Sequence, residues 1–181
     1  MKTFLLLLAL LFSLPSFADV KHKMYELYQQ GKYLSACNTG LQSFSQYQED
    51  EAYLSLYAFA CLKADQIDRL AAPIMRLNQS EEARTNAAYF AVIVMQKKLL
   101  MQGLYDNKPI KNLQFPTSEH ILSKLFDLYL KNPQPGQLIK EYQDPLNIRL
   151  TYKLYTTENN GRKSISIDEY YDKILTIHHT Y

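Results

Sequence analysis

Two short stretches decide the fold: Gly31-Lys32-Tyr33-Leu34-Ser35-Ala36-Cys37 and Asp65-Gln66-Ile67-Asp68-Arg69-Leu70-Ala71. Each lies between two segments whose apolar residues have helical spacing, and their first residues, 31 and 65, are 34 positions apart. This offset places apolar residues over apolar residues: Tyr28 over Leu62, Tyr33 over Ile67, Ala36 over Leu70 and Leu41 over Met75. A period of this length predicts stacked helix–turn–helix units.

The repeat resembles the tetratricopeptide family at Gly31, Tyr33 and Ala36 and in its 34-residue period, over residues 20–77. In this resemblance Gly31 supplies the tight turn, and the small Ala36 lets two helices approach closely. The resemblance implies two helical pairs and a concave groove that binds a peptide.

Three residues depart from the family pattern. The family's late bulky position falls on Gly40, and its helix-ending proline is absent near Gln48. Pro73 falls inside the second helix of repeat two, where it predicts a kink or the true start of that helix.

The resemblance also implies which residues line the groove, because the first helix of each repeat faces it. Carried onto this sequence, the groove positions are Tyr25, Tyr28, Gln29, Ser55, Phe59, Leu62 and Lys63. Aromatic and amphipathic residues of this kind suit an extended or helical peptide. The alternative is that Phe59 and Leu62 are buried beneath the third long helix.

The N-terminus has the three parts of a secretory signal peptide: Lys2, an apolar run from Phe4 to Leu14, and small residues at Ser16 and Ala18. We expect residues 1–18 to be removed and the mature chain to be periplasmic, with secretion as the alternative. The apolar run is too short to span a bilayer, which takes about 20 residues.

The charge of the chain is nearly balanced, with 20 Lys and Arg residues against 18 Asp and Glu residues. This balance gives no electrostatic footprint for nucleic acid or for an anionic membrane surface. We therefore expect no nucleic-acid partner and no transmembrane span in the mature chain.

Two cysteines, Cys37 and Cys61, fall on neighbouring helices of the predicted repeats. In an oxidising compartment an even number of cysteines makes them a candidate disulfide. The alternative is that both are small buried apolar residues in the helix seams.

Two further helices follow the repeats. One begins after Ser80, a typical N-cap, and is expected to run to about Gln102 with Gly103 as its stop. Its apolar stretch, residues 87–95, predicts a central helix that is buried on more than one side. The next runs from Glu119 to about Lys131, where a segment rich in proline and glycine begins.

After that segment the hydrophobic period changes from 3.6 to 2, which predicts strands. Asn160-Gly161 is a strong signal for a type I′ hairpin, and folding there sets Leu154 against Ile167 and Lys153 against Asp168. Residues 174–181 are expected to form a third strand. The alternative is a short helix from Ser166, since Ser166-x-x-Glu169 also has the form of a capping box.

We therefore predict a mainly α fold: tetratricopeptide-like helical hairpins, five to six helices in all, and then a small antiparallel hairpin or three-stranded sheet. The expected division is a helical domain at 19–131, a linker at 132–146 and a β meander at 147–181 packed on the helices.

The sequence contains no recognisable catalytic set, cofactor motif or metal site. Only 5 glycines occur, and they are not clustered as in a phosphate-binding loop. His178 and His179 are adjacent on a predicted strand and so point to opposite faces.

The function hypothesis is a non-catalytic periplasmic interaction module, an adaptor or assembly factor of an outer-membrane, pilus, secretion or flagellar machine. The alternative is a binding or inhibitor protein for a small ligand or one cognate protein, with its site on the sheet and on residues 104–115.

Overall fold

The computed structural model describes residues 17–110 and 113–181. Nearly all of the expected signal peptide, residues 1–18, lies outside this range. Six helices precede a four-stranded antiparallel sheet within the described part of the chain. The helices are α1 (Phe17–Gln29), α2 (Tyr33–Ser43), α3 (Glu51–Lys63), α4 (Ala71–Arg76), α5 (Glu81–Tyr105) and α6 (Ile121–Lys131). The strands are β1 (Ile139–Gln143), β2 (Leu150–Asn159), β3 (Arg162–Tyr171) and β4 (Ile174–Thr180).

The first helical pair, α1 and α2, turns at Gly31, whose φ of 72° is the left-handed conformation that glycine adopts easily. Helix α3 then packs on α2. Its N-cap is Asp50, whose side chain accepts a hydrogen bond from the backbone amide of Tyr53 at 3.0 Å. Cys37 of α2 and Cys61 of α3 are joined by a disulfide, with 4.7 Å between their Cα atoms. The disulfide therefore ties the two predicted repeats together.

The second helical pair is irregular at the place that Pro73 marks. Residues Ile67–Leu70 form a 3₁₀ turn, and α4 covers only Ala71–Arg76. Pro73 lies at the third position of α4, within the first turn, where the missing N–H removes no helical hydrogen bond. The proline thus stands at the start of a short helix that follows the 3₁₀ turn.

Helix α5 is longer than expected and is less buried along its apolar stretch. Its start is as predicted, since the Ser80 hydroxyl accepts a hydrogen bond from the Ala83 amide at 3.1 Å. Gly103 does not stop it, because this glycine packs under Tyr129 of α6 and a Cβ there would lie 2.7 Å from the tyrosine hydroxyl. Within residues 87–95 only Phe90 and Ile93 are fully buried.

The β2–β3 hairpin has the register that the sequence predicts. Asn160 and Gly161 both have positive φ, as a type I′ turn requires, and Leu154 pairs with Ile167. Residues 166–171 are strand rather than helix, and β4 is the expected third strand. Lys153 lies opposite Asp168 as expected, but its ammonium pairs with Glu141 of β1 at 3.2 Å.

The prediction of three strands was wrong, because β1 lies inside the expected linker at 132–146. Lys140 and Tyr142 are buried on the face that covers the helices, while Ile139, Glu141 and Gln143 are exposed. Because β1 consists mostly of charged and polar residues, its alternation of exposed and buried side chains does not appear as a hydrophobic pattern in the sequence.

Polar contacts hold the sheet on the helices at both ends of the β2–β3 hairpin. The Tyr105 hydroxyl at the end of α5 donates to the Thr157 carbonyl at 2.7 Å and accepts from the Ser164 amide at 3.0 Å. At the opposite end of the hairpin the Lys124 ammonium of α6 lies 2.9 Å from the buried carboxylate of Asp144. The buried face of the sheet, with Leu154 and Ile167 at its centre, therefore sits against α5 and α6.

Candidate functional site

Of the four residues on α3 that are expected to line a groove, Ser55 and Phe59 contact helix α5. The Ser55 hydroxyl accepts a hydrogen bond from the Asn86 amide at 3.1 Å, and the Phe59 ring packs edge-on against Phe90 with 4.8 Å between centroids. Leu62 is fully buried, whereas Lys63 is exposed. In the structure Leu62 belongs to the buried core, and the half-buried Phe59 packs against that core beside α5.

The groove residues of repeat one are more open. Tyr25 is 49% exposed, Gln29 is exposed, and Tyr28 is half-buried with its ring 5.2 Å from that of Tyr33. These residues form one helix face on α1. They are not continuous with an open surface on α3, because α5 covers it.

The chain itself covers the C-terminal end of α3. His120, the N-cap of α6, accepts a hydrogen bond from the Leu122 amide at 3.2 Å and lies against the backbone of Leu62. Burial lowers the pKa of His120 to about 4. This end of the expected groove is therefore filled by residues that precede α6.

A histidine between two carboxylates joins the sheet to the helices. His179 Nδ1 lies 2.9 and 3.0 Å from the two carboxylate oxygens of Asp65, and its Nε2 lies 3.0 Å from Glu169. Burial opposes the charged form, but the hydrogen bonds to Asp65 and Glu169 prevail and raise the pKa of His179 to about 9. The imidazole is therefore charged at neutral pH.

This cluster is suited to holding elements together rather than to catalysis or metal binding. Both ring nitrogens of His179 donate to carboxylates, so neither can accept a proton or bind a metal ion. The ring of Tyr181 stacks on His179 with 5.8 Å between centroids, and the tyrosine is almost fully buried. The cluster anchors the end of β4 to the turn that follows α3.

Next to this cluster lies a cleft of about 820 Å³ between the turn after α3 and the far end of the β2–β3 hairpin. Asp68 accepts from Lys97 of α5 at 2.8 Å and lies 3.5 Å from Lys98 and 3.7 Å from Arg162. Burial works to raise the pKa of Asp68, but the hydrogen bond and charge of Lys97, with the charge of Lys98, outweigh it and lower the pKa. The residues 104–115 do not line this cleft.

His178 is adjacent to His179 but lies on the opposite face of β4, where it lines the same cleft. Its Nδ1 lies 2.5 Å from Asp168, and its Nε2 lies 3.0 Å from the Thr180 hydroxyl. Asp168 also accepts from the Tyr155 hydroxyl at 3.1 Å. The contacts with Asp168 and Thr180 together fix the orientation of the imidazole. The two adjacent histidines thus serve different faces, as the strand alternation predicts.

The two edges of the sheet differ. At the β1 edge, the Gln134 side-chain amide donates to the Glu141 carbonyl at 2.6 Å and accepts from the Glu141 amide at 3.0 Å. This side chain occupies the place of a neighbouring strand. At the β4 edge no further strand pairs within the described residues. Three apolar side chains are also exposed on β4: Ile174 at 70%, Leu175 at 51% and Ile177 at 49%.

Comparisons with protein-family models, with curated proteins and with solved structures found no match. Across residues 17–110 and 113–181, no helix has both the length and the apolar character needed to cross a bilayer. The same residues contain no group of three or more His, Cys, Asp or Glu side chains placed to hold a metal ion.

Sequence reasoning did not identify Asp65, Glu169, Lys97 or Arg162. The residues come together only because the sheet docks on the helices, and Asp65 and His179 are 114 residues apart. A turn with charged residues between two helices is common, so the composition of residues 65–69 does not mark them as part of a site.

Proposed function

We propose that this protein is an exported, non-catalytic interaction module that binds an extended segment of a partner protein at the β4 edge. The single observation that carries the proposal is the contrast between the two edges of one sheet. The Gln134 side chain bonds both backbone groups of Glu141 in the middle of the β1 edge, whereas β4 pairs with no further strand in the described residues and has exposed apolar side chains. An edge of this kind is a template for strand addition.

The backbone of β4 is oriented for this pairing. Ile165 and Tyr181 exchange both backbone hydrogen bonds, at 3.1 and 2.9 Å. Since such pairs alternate with non-bonded pairs in an antiparallel ladder, the N–H and C=O groups of His178 and Thr180 point away from β3. They are available to an incoming strand.

The composition of β4 indicates the chemistry of the partner segment. Residues Ile174–Thr180 include no Asp, Glu, Lys or Arg, and the exposed side chains at its start are aliphatic. A matching segment is an extended strand of low charge with aliphatic residues. Main-chain bonds would provide affinity, and the apolar contacts specificity.

The helical part has a supporting role in this proposal. The resemblance to tetratricopeptide repeats and the expected signal peptide favour an adaptor or assembly factor of a cell-envelope machine. The structure leaves only the α1 face, with Tyr25, Tyr28 and Gln29, open on the side that the resemblance assigns to the groove. We therefore assign the main docking surface to β4.

The test is in-cell photo-crosslinking from Ile177, with Tyr25 as the comparison position and mass spectrometry to identify the captured protein. We expect one partner to be captured from Ile177. Leu175→Lys should reduce capture at least 10-fold, because a charge on an edge strand opposes strand addition. Met75→Lys is the matched control, since Met75 is 78% exposed on the helical part.

Capture from Tyr25 alone, or from neither position, would contradict the proposal. So would equal loss of capture in the Leu175→Lys and Met75→Lys variants. A captured second copy of this chain would replace the proposed partner by self-association, which size-exclusion chromatography with light scattering measures directly.

A further inference from the structure

The cleft beside the His179 cluster is built from both halves of the fold. Its walls are the turn after α3, with Asp65 and Asp68, the side chain of Lys97 on α5, and the hairpin end with Arg162 and Ser164. Its volume of about 820 Å³ is in the range of small-molecule sites. No residue of the α1 face and no apolar residue at the start of β4 contributes to it.

The cleft carries an excess of positive charge. Of its two carboxylates, Asp65 is already paired with the charged His179. Asp68 alone faces Lys97 and Arg162 within the cleft and Lys98 at its margin. One carboxylate cannot neutralise three cations, and an anionic ligand would neutralise the remaining positive charge.

Lys97 is the least exposed of these cations. It is 3% exposed, and burial lowers its pKa against the opposing effect of Asp68. A buried ammonium is costly unless it is paired, and its one ionic partner in the described residues is the shared, half-exposed carboxylate of Asp68. Arg162 lies at the mouth of the cleft with 79% of its side chain exposed.

The remaining lining contains the buried Ile67, Arg69, whose guanidinium donates to the Asn38 side chain at 2.8 Å, and a set of polar, uncharged groups. Thr157, Ser164 and Thr180 contribute hydroxyl groups, and Gln66, Asn159 and Asn160 contribute amides. Hydroxyls and amides both donate and accept, so they match a ligand that carries hydroxyl groups. We infer that the cleft is a binding site for a small hydroxyl-bearing anion whose phosphate or carboxylate oxygens contact Lys97 and Arg162 from the open side of the cleft, opposite Asp68.

This inference does not rest on the docking function proposed for β4, but the two sites adjoin at His178 and Thr180. These residues contribute side chains to the cleft and outward backbone groups to the edge of β4. Calorimetry with the small probes and crosslinking from Ile177 test the two sites separately.

The experiment is isothermal titration calorimetry of the mature chain with three probes: glucose 6-phosphate, glucuronate and uncharged glucose. We expect saturable binding of at least one charged probe with a stoichiometry of one, and at least 10-fold weaker binding of glucose. The phosphate and carboxylate probes distinguish the two sources of anionic oxygen. Failure of both charged probes at millimolar concentration would overturn the inference.

Two variants locate the site. Arg162→Gln and Lys97→Met should each weaken binding of the charged probe at least 10-fold, and the exposed Arg162 can be changed without a folding defect. Lys163→Gln is the control, because its ammonium lies 4.8 Å over the Tyr105 ring and outside the cleft. Unchanged affinity in Arg162→Gln, or an equal loss in Lys163→Gln, would show that the charged probe binds elsewhere.

Discussion

His179 Nδ1 lies within 3.0 Å of both carboxylate oxygens of Asp65, across 114 residues of sequence. This contact joins the last strand to the turn after α3. Together with the bond from Nε2 to Glu169, it places one imidazolium between two partly buried carboxylates at the junction of helices and sheet.

Replacing His179 should destabilise the fold. His179→Gln removes the cation and leaves the carboxylates of Asp65 and Glu169 without their charged partner, at side-chain exposures of 23% and 19%. We expect a loss of roughly 2–4 kcal/mol in the free energy of unfolding, measured by urea denaturation at pH 7. His22→Gln is the control, because the ion pair of His22 with Glu26 is exposed and should contribute less than about 0.5 kcal/mol. Equal effects of the two substitutions would contradict the role given to His179.

Stability should fall as the pH rises above neutral. The pKa of His179 is about 9 in the folded protein and about 6.5 when unfolded, so folding favours the protonated form. The contribution is fully present below about pH 6.5 and is lost as the pH rises through 9, on the order of 2–3 kcal/mol in total. Urea midpoints between pH 6 and 9.5 measure this loss. The His179→Gln profile should lack it, and an identical slope in both proteins would assign the loss to other groups.

Reducing the disulfide should weaken the helical part. Cys37 and Cys61 are 24 residues apart, and a loop of that size corresponds to about 3 kcal/mol in the chain-entropy description. We expect the urea midpoint to fall on addition of reductant and the Cys37→Ala/Cys61→Ala variant to be insensitive to it. Thiol titration of the denatured, unreduced protein should detect no free thiol. Detection of two thiols would contradict the bond.

A charge at Phe59 should strongly destabilise the protein, whereas a charge at Tyr25 should not. Phe59 packs against Phe90 and Tyr89, so Phe59→Asp loses ring packing and places a carboxylate beneath α5, at a cost of roughly 3 kcal/mol or more. Tyr25 is half exposed on α1, so Tyr25→Asp should change the free energy of unfolding by less than about 0.5 kcal/mol. Circular dichroism during urea denaturation compares the two. A stable Phe59→Asp variant would contradict the packing of Phe59 beneath α5 and would support its place in an open groove.

Local signals in the sequence were sufficient for the hairpin and for several helix starts. Asn160-Gly161 fixed the turn, the alternation around Leu154 fixed the buried face, and Ser80 marked the start of α5. Strand β1 was not predicted, because Tyr142 is the one apolar residue on its buried face. Gly103 resembled a helix stop, but the packing of Tyr129 explains the absence of a side chain there.

The candidate sites depend on tertiary docking, which local patterns do not report. The sequence predicts the turn at Asp65 as part of a repeat, but its contact with His179 depends on the placement of the sheet. The groove prediction for Phe59 and Leu62 considers the two repeats alone. In the structure, α5 and the residues before α6 cover these side chains. Likewise, the contrast between the edges at β4 and β1 follows only from the structure, in which β1 forms the other edge of the sheet.

The side chain of Gln134 also determines how large an assembly can become. A molecule with two open sheet edges can join copies end to end without limit, as fibres do. Here the Gln134 side chain bonds the middle of the β1 edge, which opposes pairing of a second strand at that edge. Under the proposed function, strand addition at β4 would therefore stop after one step and give one partner segment for each molecule.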